Sequence, residues 1–299
     1  YTFTSTAAAF LKAGFKIRFA EIDPFTAMID PKDVIQKITK KTRALVVVHY
    51  AGFKAEITEL KKICSTHGLI LIEDAAQGFG SFFNKKAIGT LGDIGCFSFH
   101  ETKNIHAGLS GAIILRNKND YIRAIHIRER GTNRQDVITG QSKKYSWVEL
   151  GGSYYPTEIN AAFLYTQLKQ VKKNLKQRKA IYNEYYKNLL FLKKNKYLYF
   201  NEFEKGYVSN YHAFFIILKS TSTCQKLRKY LLKFKIHAFI GYVPLHSSPM
   251  GIKLGNKKSD LPISEIVSKK ILRLPLHNKM KKKDALFVSA KILDFFETN

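Results

Sequence analysis

Residues 95–112 read GCFSFHETKNIHAGLSGA, and the way that stretch is punctuated decides how the chain folds. A strand-like run (Cys96, Phe97, Ser98, Phe99) ends in the polar cluster His100, Glu101, Thr102, Lys103, Asn104. Gly108, Ser110 and Gly111 then mark a turn, and Ala112, Ile113, Ile114 and Leu115 form a second apolar run. A lysine just past a buried strand, with little flexible linker, is held at a fixed point. Lysine is also the side chain whose pKa falls readily on burial, which suits Lys103 to Schiff-base chemistry. From spacing alone, a surface or structural role is the plainer reading.

A second stretch changes that balance. Residues 69–72 (Leu-Ile-Leu-Ile) are apolar and of strand length, and they run into Glu73-Asp74-Ala75-Ala76-Gln77-Gly78. An acid directly after such a strand sits where open α/β sheets place their ligands. Asp74 and Lys103 are the two polar groups that a pyridoxal phosphate site needs, one for the pyridinium nitrogen and one for the covalent link. The alternative for Asp74 is a helix N-cap.

Outward from these two stretches, strand and helix patterns alternate. Helices are expected over 4–14, from Pro31 onward and over 57–67, with strands over 16–22, 43–49 and 69–73. The valine-rich 43–49 run is that of a strand buried on both faces. This order predicts an α/β fold, a mostly parallel sheet with helices on both sides. Near residue 131 the texture changes: 131–147 is polar and reads as a long functional loop. Residues 156–192 read as one long helical stretch bridging to a smaller α+β domain. Within that domain strands are expected over 211–218 and 236–243, and helices over 222–234 and 283–296. The division expected is residues 1–192, a large domain, and 193–299, a small one.

The motifs EDAAQG (73–78), FSFHETKN (97–104), RERGTNR (128–134) and YSWVELGGSYYPTEINAAFL (145–164) resemble the DegT/DnrJ/StrS family of sugar aminotransferases. The resemblance runs from Tyr1 through Pro275 and Leu276. It implies a pyridoxal-phosphate-dependent, aspartate-aminotransferase-like (fold type I) large domain. Lys103 matches the lysine that bonds the cofactor and then shuttles the proton. Asp74 matches the pyridinium partner, and Gln77, three residues on along a helical face, the residue near the ring oxygen. Phe3 matches an aromatic stacked on the ring; without the resemblance it reads as core. Ser98 matches a phosphate contact, and Ser153 one made from the other subunit, which implies a two-fold homodimer as the active unit. Both serines read equally as backbone caps.

For substrate the resemblance points to His100, Asn133, Arg134, Lys144, Tyr145 and His212, with the 131–147 loop offering donors to a sugar diphosphate. His212 reads as well as a core histidine. The activity implied is transfer of an amino group from L-glutamate, leaving 2-oxoglutarate, to a nucleotide-linked 4-keto-6-deoxyhexose. The long match over 131–164 points to dTDP-4-dehydro-6-deoxy-D-glucose and a dTDP-4-amino-4,6-dideoxygalactose product for cell-surface polysaccharide. Relatives that dehydrate the sugar carry histidine in place of this lysine. The chain departs from the family pattern at residues 108–112 (GLSGA), one residue short and lacking a glutamate, and at Gly241, where histidine often precedes the tyrosine. It also opens at Tyr1 without the phosphate-binding loop that precedes this point in relatives, as an N-terminally truncated chain would. These departures motivate an alternative, a catalytically impaired homologue that binds sugar nucleotide or a partner subunit.

At 299 residues, 45% of them hydrophobic, the chain is long enough for a sizeable core. No apolar run approaches the ~20 residues that span a bilayer. Three widely spaced cysteines argue against a disulfide framework and for a cytoplasmic setting. The formal charge of +27 raises nucleic-acid binding. However, the lysines are scattered and no zinc spacing or RNA-binding motif accompanies them. Solvated lysine-rich faces are the plainer account, and such a field also attracts an anionic sugar nucleotide.

Overall fold

The computed structural model describes residues 1–298. In the first half come strands β1 (Ala44–Val48), β2 (Ile70–Asp74), β3 (Phe82–Phe83), β4 (Lys86–Ala87), β5 (Ile94–Ser98) and β6 (Gly111–Leu115). β1, β2 and β5 pair in parallel in that order, and β6 closes the edge antiparallel to β5. The 95–112 stretch is thus a strand, a turn and a returning strand, with Ser98 opposite Gly111. Parallel pairing requires long crossovers, and α3 (Ile57–His67) supplies the one between β1 and β2. α1 (Thr4–Lys12) and α2 (Pro31–Lys37) precede β1, and α4 (Lys118–Arg128) follows β6. Asp30 caps α2 by accepting from the Lys32 N–H at 2.9 Å, with Pro31 at the first helical position. α3 stops at Gly68, whose φ of +63° is the left-handed turn that favours glycine.

Three expectations in this half are corrected. Residues 16–22 form no strand, only an isolated bridge from Ile22 to Ile29. The backbone there is spent elsewhere: Glu21 N–H donates to the Asp33 carboxylate at 2.7 Å, and its carbonyl accepts from Asp30. The polar 131–147 segment contains a short helix, α5 (Arg134–Ile138). The single helical stretch of 156–192 is two helices, α6 (Glu158–Lys169) and α7 (Val171–Lys194), which meet at Gln170 with φ −103°. Glutamine is a good helix former, so no local signal marks that joint.

The second half adds β7 (Leu198–Tyr199), β8 (Tyr207–Val208), β9 (Phe214–Leu218), β10 (Phe239–Ile240) and β11 (Ile271–Leu274). An antiparallel sheet runs β10-β11-β9-β7, packed by α8 (Thr221–Lys233), and the last helix (Lys282–Thr298) packs on α7 and α8. The expected 211–218 strand begins only at Phe214, because Tyr211 holds a left-handed φ of +53°. The expected 236–243 strand is cut to two residues because Tyr242 leaves the sheet to meet Gln77. β11, central in this sheet, lay outside the strands expected. β8 pairs with β3, so a small sheet ordered β4-β3-β8 links the two halves of the chain. One continuous apolar core runs from Ile22 through Tyr185 to Phe295.

Candidate active site

Two acids in succession end β2, and successive strand side chains point to opposite faces. Glu73 is fully buried. Its carboxylate accepts from the N–H groups of Gly92 (2.5 Å), Leu91 (2.6 Å) and Gly89 (2.8 Å), and pairs with His49 Nε2 at 2.9 Å. Burial pushes its pKa up, but the histidine and the backbone donors outweigh that and hold the group below the usual carboxylate range. His49 in turn accepts the Ala55 N–H at Nδ1 (3.2 Å). Glu73 therefore clamps the ends of β1 and β2 to the turn that leads into β5.

Asp74 faces the other way. One carboxylate oxygen accepts the Thr6 hydroxyl at 2.6 Å, and the other accepts the Ala76 N–H at 3.1 Å. No helix follows it: residues 76–80 are a run of turns, so neither the N-cap reading nor a helical face for Gln77 holds. Gln77 instead bridges two segments, accepting the Ala51 N–H at 2.7 Å and donating to the Tyr242 hydroxyl at 3.0 Å.

Lys103 sits in the turn between β5 and β6. Its N–H donates to the His100 carbonyl at 2.9 Å, while Glu101 N–H reaches Gly108 O and Ala107 N–H reaches Phe99 O, both at 2.8 Å. The shortened 108–112 segment is thus closed by backbone hydrogen bonds on both sides of Lys103. The side chain is half-buried, and among the described residues its amine makes no hydrogen bond or ion pair. Burial lowers the amine pKa; Asp74 opposes that shift, and the Arg273 charge adds to it. Lys103 lines a small cavity with Ala76, Gln77, Ser98, Asn210 and His212.

The far wall comes from the second half of the chain. Asn104 donates to the Asn210 carbonyl at 2.8 Å, so its side-chain oxygen accepts from His212 Nδ1 at 3.0 Å. That leaves His212 Nε2 as an acceptor. Burial, reinforced by Arg273, Arg178 and Lys103, holds this ring well below its ordinary pKa and hence neutral. Arg178, itself buried on α7, donates to the carbonyls of Tyr211 (3.0 Å), His212 (2.6 Å) and Leu276 (3.2 Å). Asn210 closes the wall, donating to the carbonyls of Gln77 (2.7 Å) and Phe79 (2.9 Å). Neither Arg178 nor Asn210 stood out in the sequence: Asn210 lies in an irregular segment with no periodic signal, and Arg178 is one basic residue among the many of α7.

Of the remaining expected site residues only Ser98 belongs to this cavity lining. Phe3 precedes α1 and is 58% exposed, 6.2 Å from the Tyr242 ring, so the core reading does not hold. Ser98 accepts the His100 N–H at 3.3 Å, which leaves its own proton free to donate. His100 Nδ1 is turned to the Thr102 hydroxyl at 3.0 Å. Asn133 is buried and staples its own loop, accepting from Ser146 N–H (2.7 Å) and donating to Lys144 O (2.9 Å). Arg134 reaches the buried Glu129 at 3.7 Å. Lys144 and Tyr145 are exposed, as is Ser153 on its bridge to Glu129. Gly241 also has a physical reason, because a Cβ there would overlap the Tyr1 hydroxyl.

The chemistry of this donor set fits the cofactor that the resemblance implies. It pairs an unengaged amine of lowered proton affinity with a carboxylate steered by a hydroxyl and an N–H. The model of the DegT/DnrJ/EryC1/StrS aminotransferase family matches residues 1–293. The "Pleiotropic regulatory protein" of Geobacillus stearothermophilus is 30% identical over 297 residues, covering 99% of this chain and 77% of that protein. The "UDP-4-amino-4,6-dideoxy-N-acetyl-beta-L-altrosamine transaminase" of Campylobacter jejuni is 30% identical over 304 residues, 99% of this chain and 77% of that one. Among solved structures, Helicobacter pylori PseC, described as an "aminotransferase involved in the biosynthesis of pseudoaminic acid", superposes with a TM-score of 0.88 at 23% identity, covering 100% of this chain and 78% of that one.

Proposed function

The chain belongs to the DegT/DnrJ/EryC1/StrS aminotransferase family, and from that premise we propose that it aminates a nucleotide-linked 4-keto-6-deoxyhexose with L-glutamate as donor. The coarser statement needs no proposal: it is a pyridoxal-phosphate-dependent sugar-nucleotide aminotransferase of fold type I. The observation that carries the transaminase reading is the place of Lys103 in the cavity, unpartnered among the described residues and within the electrostatic reach of Asp74 at the carboxyl edge of the parallel sheet.

Pyridoxal phosphate, when bound, supplies the electron sink that lets a proton leave the carbon bearing the amino group. Asp74, steered by Thr6 and Ala76, would hold a proton at the pyridinium nitrogen. Lys103 Nζ, free of other partners, would move a proton from the donor carbon to the cofactor's C4′ in the first half-reaction, and one from C4′ to sugar C4 in the second. A neutral amine is required for the first transfer, and partial burial shifts Lys103 toward that form. Gln77 and the neutral His212 orient the groups between them. Ser98 has a hydroxyl proton for a phosphate oxygen. His100, Asn133, Arg134, Lys144 and Tyr145 are assigned to the sugar nucleotide. The closed turn around Lys103 favours turnover over the alternative of a silent homologue.

For the substrate we favour dTDP-4-dehydro-6-deoxy-D-glucose, giving dTDP-4-amino-4,6-dideoxygalactose, on the match over 131–164. Homodimerisation in the cytoplasm completes the reading. Trp147, Leu150, Tyr154 and Ile159 are 76%, 80%, 69% and 81% exposed around Ser153, an apolar face suited to a second copy that would receive this serine.

The test is an absorption spectrum with pyridoxal phosphate, before and after L-glutamate. A visible band that disappears on adding glutamate is expected, and the Lys103→Ala variant should show neither the band nor turnover. Full transaminase activity in that variant would sink the assignment.

A further inference from the structure

The segment 128–134 (RERGTNR) buries one acid between two exposed arginines. Glu129 caps the end of α4 and is 1% exposed. Among the described residues neither oxygen of its carboxylate has a hydrogen-bond partner. Two guanidiniums stand just beyond that reach: Arg128 is 3.9 Å from one oxygen and Arg134 is 3.7 Å from the other. Their side chains are 45% and 57% exposed, so two positive charges lie at the surface with one negative charge beneath them. A desolvated carboxylate without hydrogen bonds is costly, and here the two cations offset that cost only through their field.

The backbone around this group is fixed by its own contacts. The Thr132 hydroxyl donates to the Glu129 carbonyl at 2.8 Å, and Glu129 forms an antiparallel bridge with Ser153. Arg130 N–H donates to Gly152 O at 3.0 Å, and Gly152 N–H to Ile127 O at 2.9 Å. Gly131 holds a φ of +77°, and a Cβ there would run into the Glu149 carbonyl, so the two arms of the loop touch. Two neighbouring carboxylates are already taken, Asp136 by His126 at 2.8 Å and Glu149 by Arg123 at 2.6 Å. Arg128 lies over the Tyr155 ring, 4.5 Å from its centroid, and reaches the Tyr155 hydroxyl at 3.3 Å. Among the described residues the Arg134 guanidinium makes no hydrogen bond.

We propose that Glu129 is a positioning residue that holds Arg128 and Arg134 as a two-armed clamp for the diphosphate of the sugar nucleotide. A carboxylate takes one edge of a planar guanidinium and leaves the opposite N–H groups for an anion. One buried acid between two arginines fixes their spacing, and the trio keeps one net positive charge for the ligand. Each arginine is nearest a different oxygen of Glu129, an arrangement that suits two linked phosphates better than one small carboxylate. Arg128 thereby joins Arg134 in the substrate site. The bridge from Glu129 to Ser153 puts the clamp on the face that the homodimer reading turns toward a second copy.

The inference rests on the transaminase reading above, and dTDP, which carries the diphosphate but no sugar, tests it apart from catalysis. Calorimetry of the holoenzyme should show dTDP binding that weakens about tenfold in Arg128→Gln and in Arg134→Gln, and by less in Arg134→Lys, which keeps the charge but not the fork. Glu129→Gln is the deciding variant, because charge and position predict opposite signs. Removing a negative charge beside a bound anion strengthens binding on charge alone. Loss of the positioning contact should instead weaken dTDP by about fivefold. The melting temperature should stay level or rise, since the arginines left behind are exposed. Equal or tighter dTDP binding in Glu129→Gln would overturn the proposal. So would parent-like affinity in Arg128→Gln, a surface change that does not depend on how Glu129→Gln folds. A parent protein that binds dTMP as tightly as dTDP would overturn it as well. A parent protein that binds dTDP but keeps its visible band when L-glutamate is added would instead overturn the transaminase reading.

Discussion

Glu73 and Asp74 are neighbours with opposite tasks, and the difference is which way a strand side chain points. Asp74 is turned to the Thr6 hydroxyl, within electrostatic reach of Lys103, whereas Glu73 is turned inward and satisfied by backbone N–H groups and His49. Because the folded state holds the Glu73 pKa below its unfolded value, its contribution to stability is present above the ordinary carboxylate pKa near 4.5. It is lost as pH falls through the folded value. Glu73→Gln keeps the shape but leaves His49 without its carboxylate. The expected cost at pH 7 is about 3–5 kcal/mol, as for a broken buried pair, with a flatter decline in stability on acidification. Urea titrations from pH 3 to pH 7 check both. Parallel acid curves for the variant and the parent protein would contradict the role given to Glu73.

At the scale of elements, the site depends on how closely β5 approaches the turn that precedes it. A Cβ on Gly95 would run into the Gly89 carbonyl, whose residue also holds a φ of +90°. Gly95→Ala must push that turn away, and with it the N–H groups that hold Glu73. Overpacking of this kind costs about 1–3 kcal/mol. The accompanying loosening of the β2 end should also weaken cofactor retention. Thermal unfolding combined with the intensity of the visible band after gel filtration measures both effects. A stable variant that keeps its band would mean that the turn has slack.

At the scale of the molecule, the two halves of the chain share one core, and the cavity is walled by both. What the single chain leaves open is the apolar face around Ser153. Leu150 is 80% exposed, so Leu150→Asp costs the isolated subunit little. In a dimer the same change buries a charge, and sedimentation should show a shift from two copies to one, with activity falling in step. Unchanged mass would remove this face as the interface. Net charge of +27 adds a separate expectation: any polynucleotide binding collapses as salt rises, because scattered lysines bind phosphate only through counterion release.

The alternation of apolar runs and helical patterns determined the parallel sheet, and a lysine and an acid at strand ends marked the site, because both signals are local and have a period. The same holds for the Asp30–Pro31 start of α2 and the full length of α3. Long-range partners had no such signal. Residues 16–22 alternate like a strand, but a strand exists only where another offers its hydrogen bonds, and here Asp33 and Asp30 take them instead. Asn210 and His212 come to the Lys103 cavity from distant sequence, and Arg178 and Tyr242 brace it through His212 and Gln77. Tertiary packing alone decides which polar groups it buries together, and which of them it leaves without a partner.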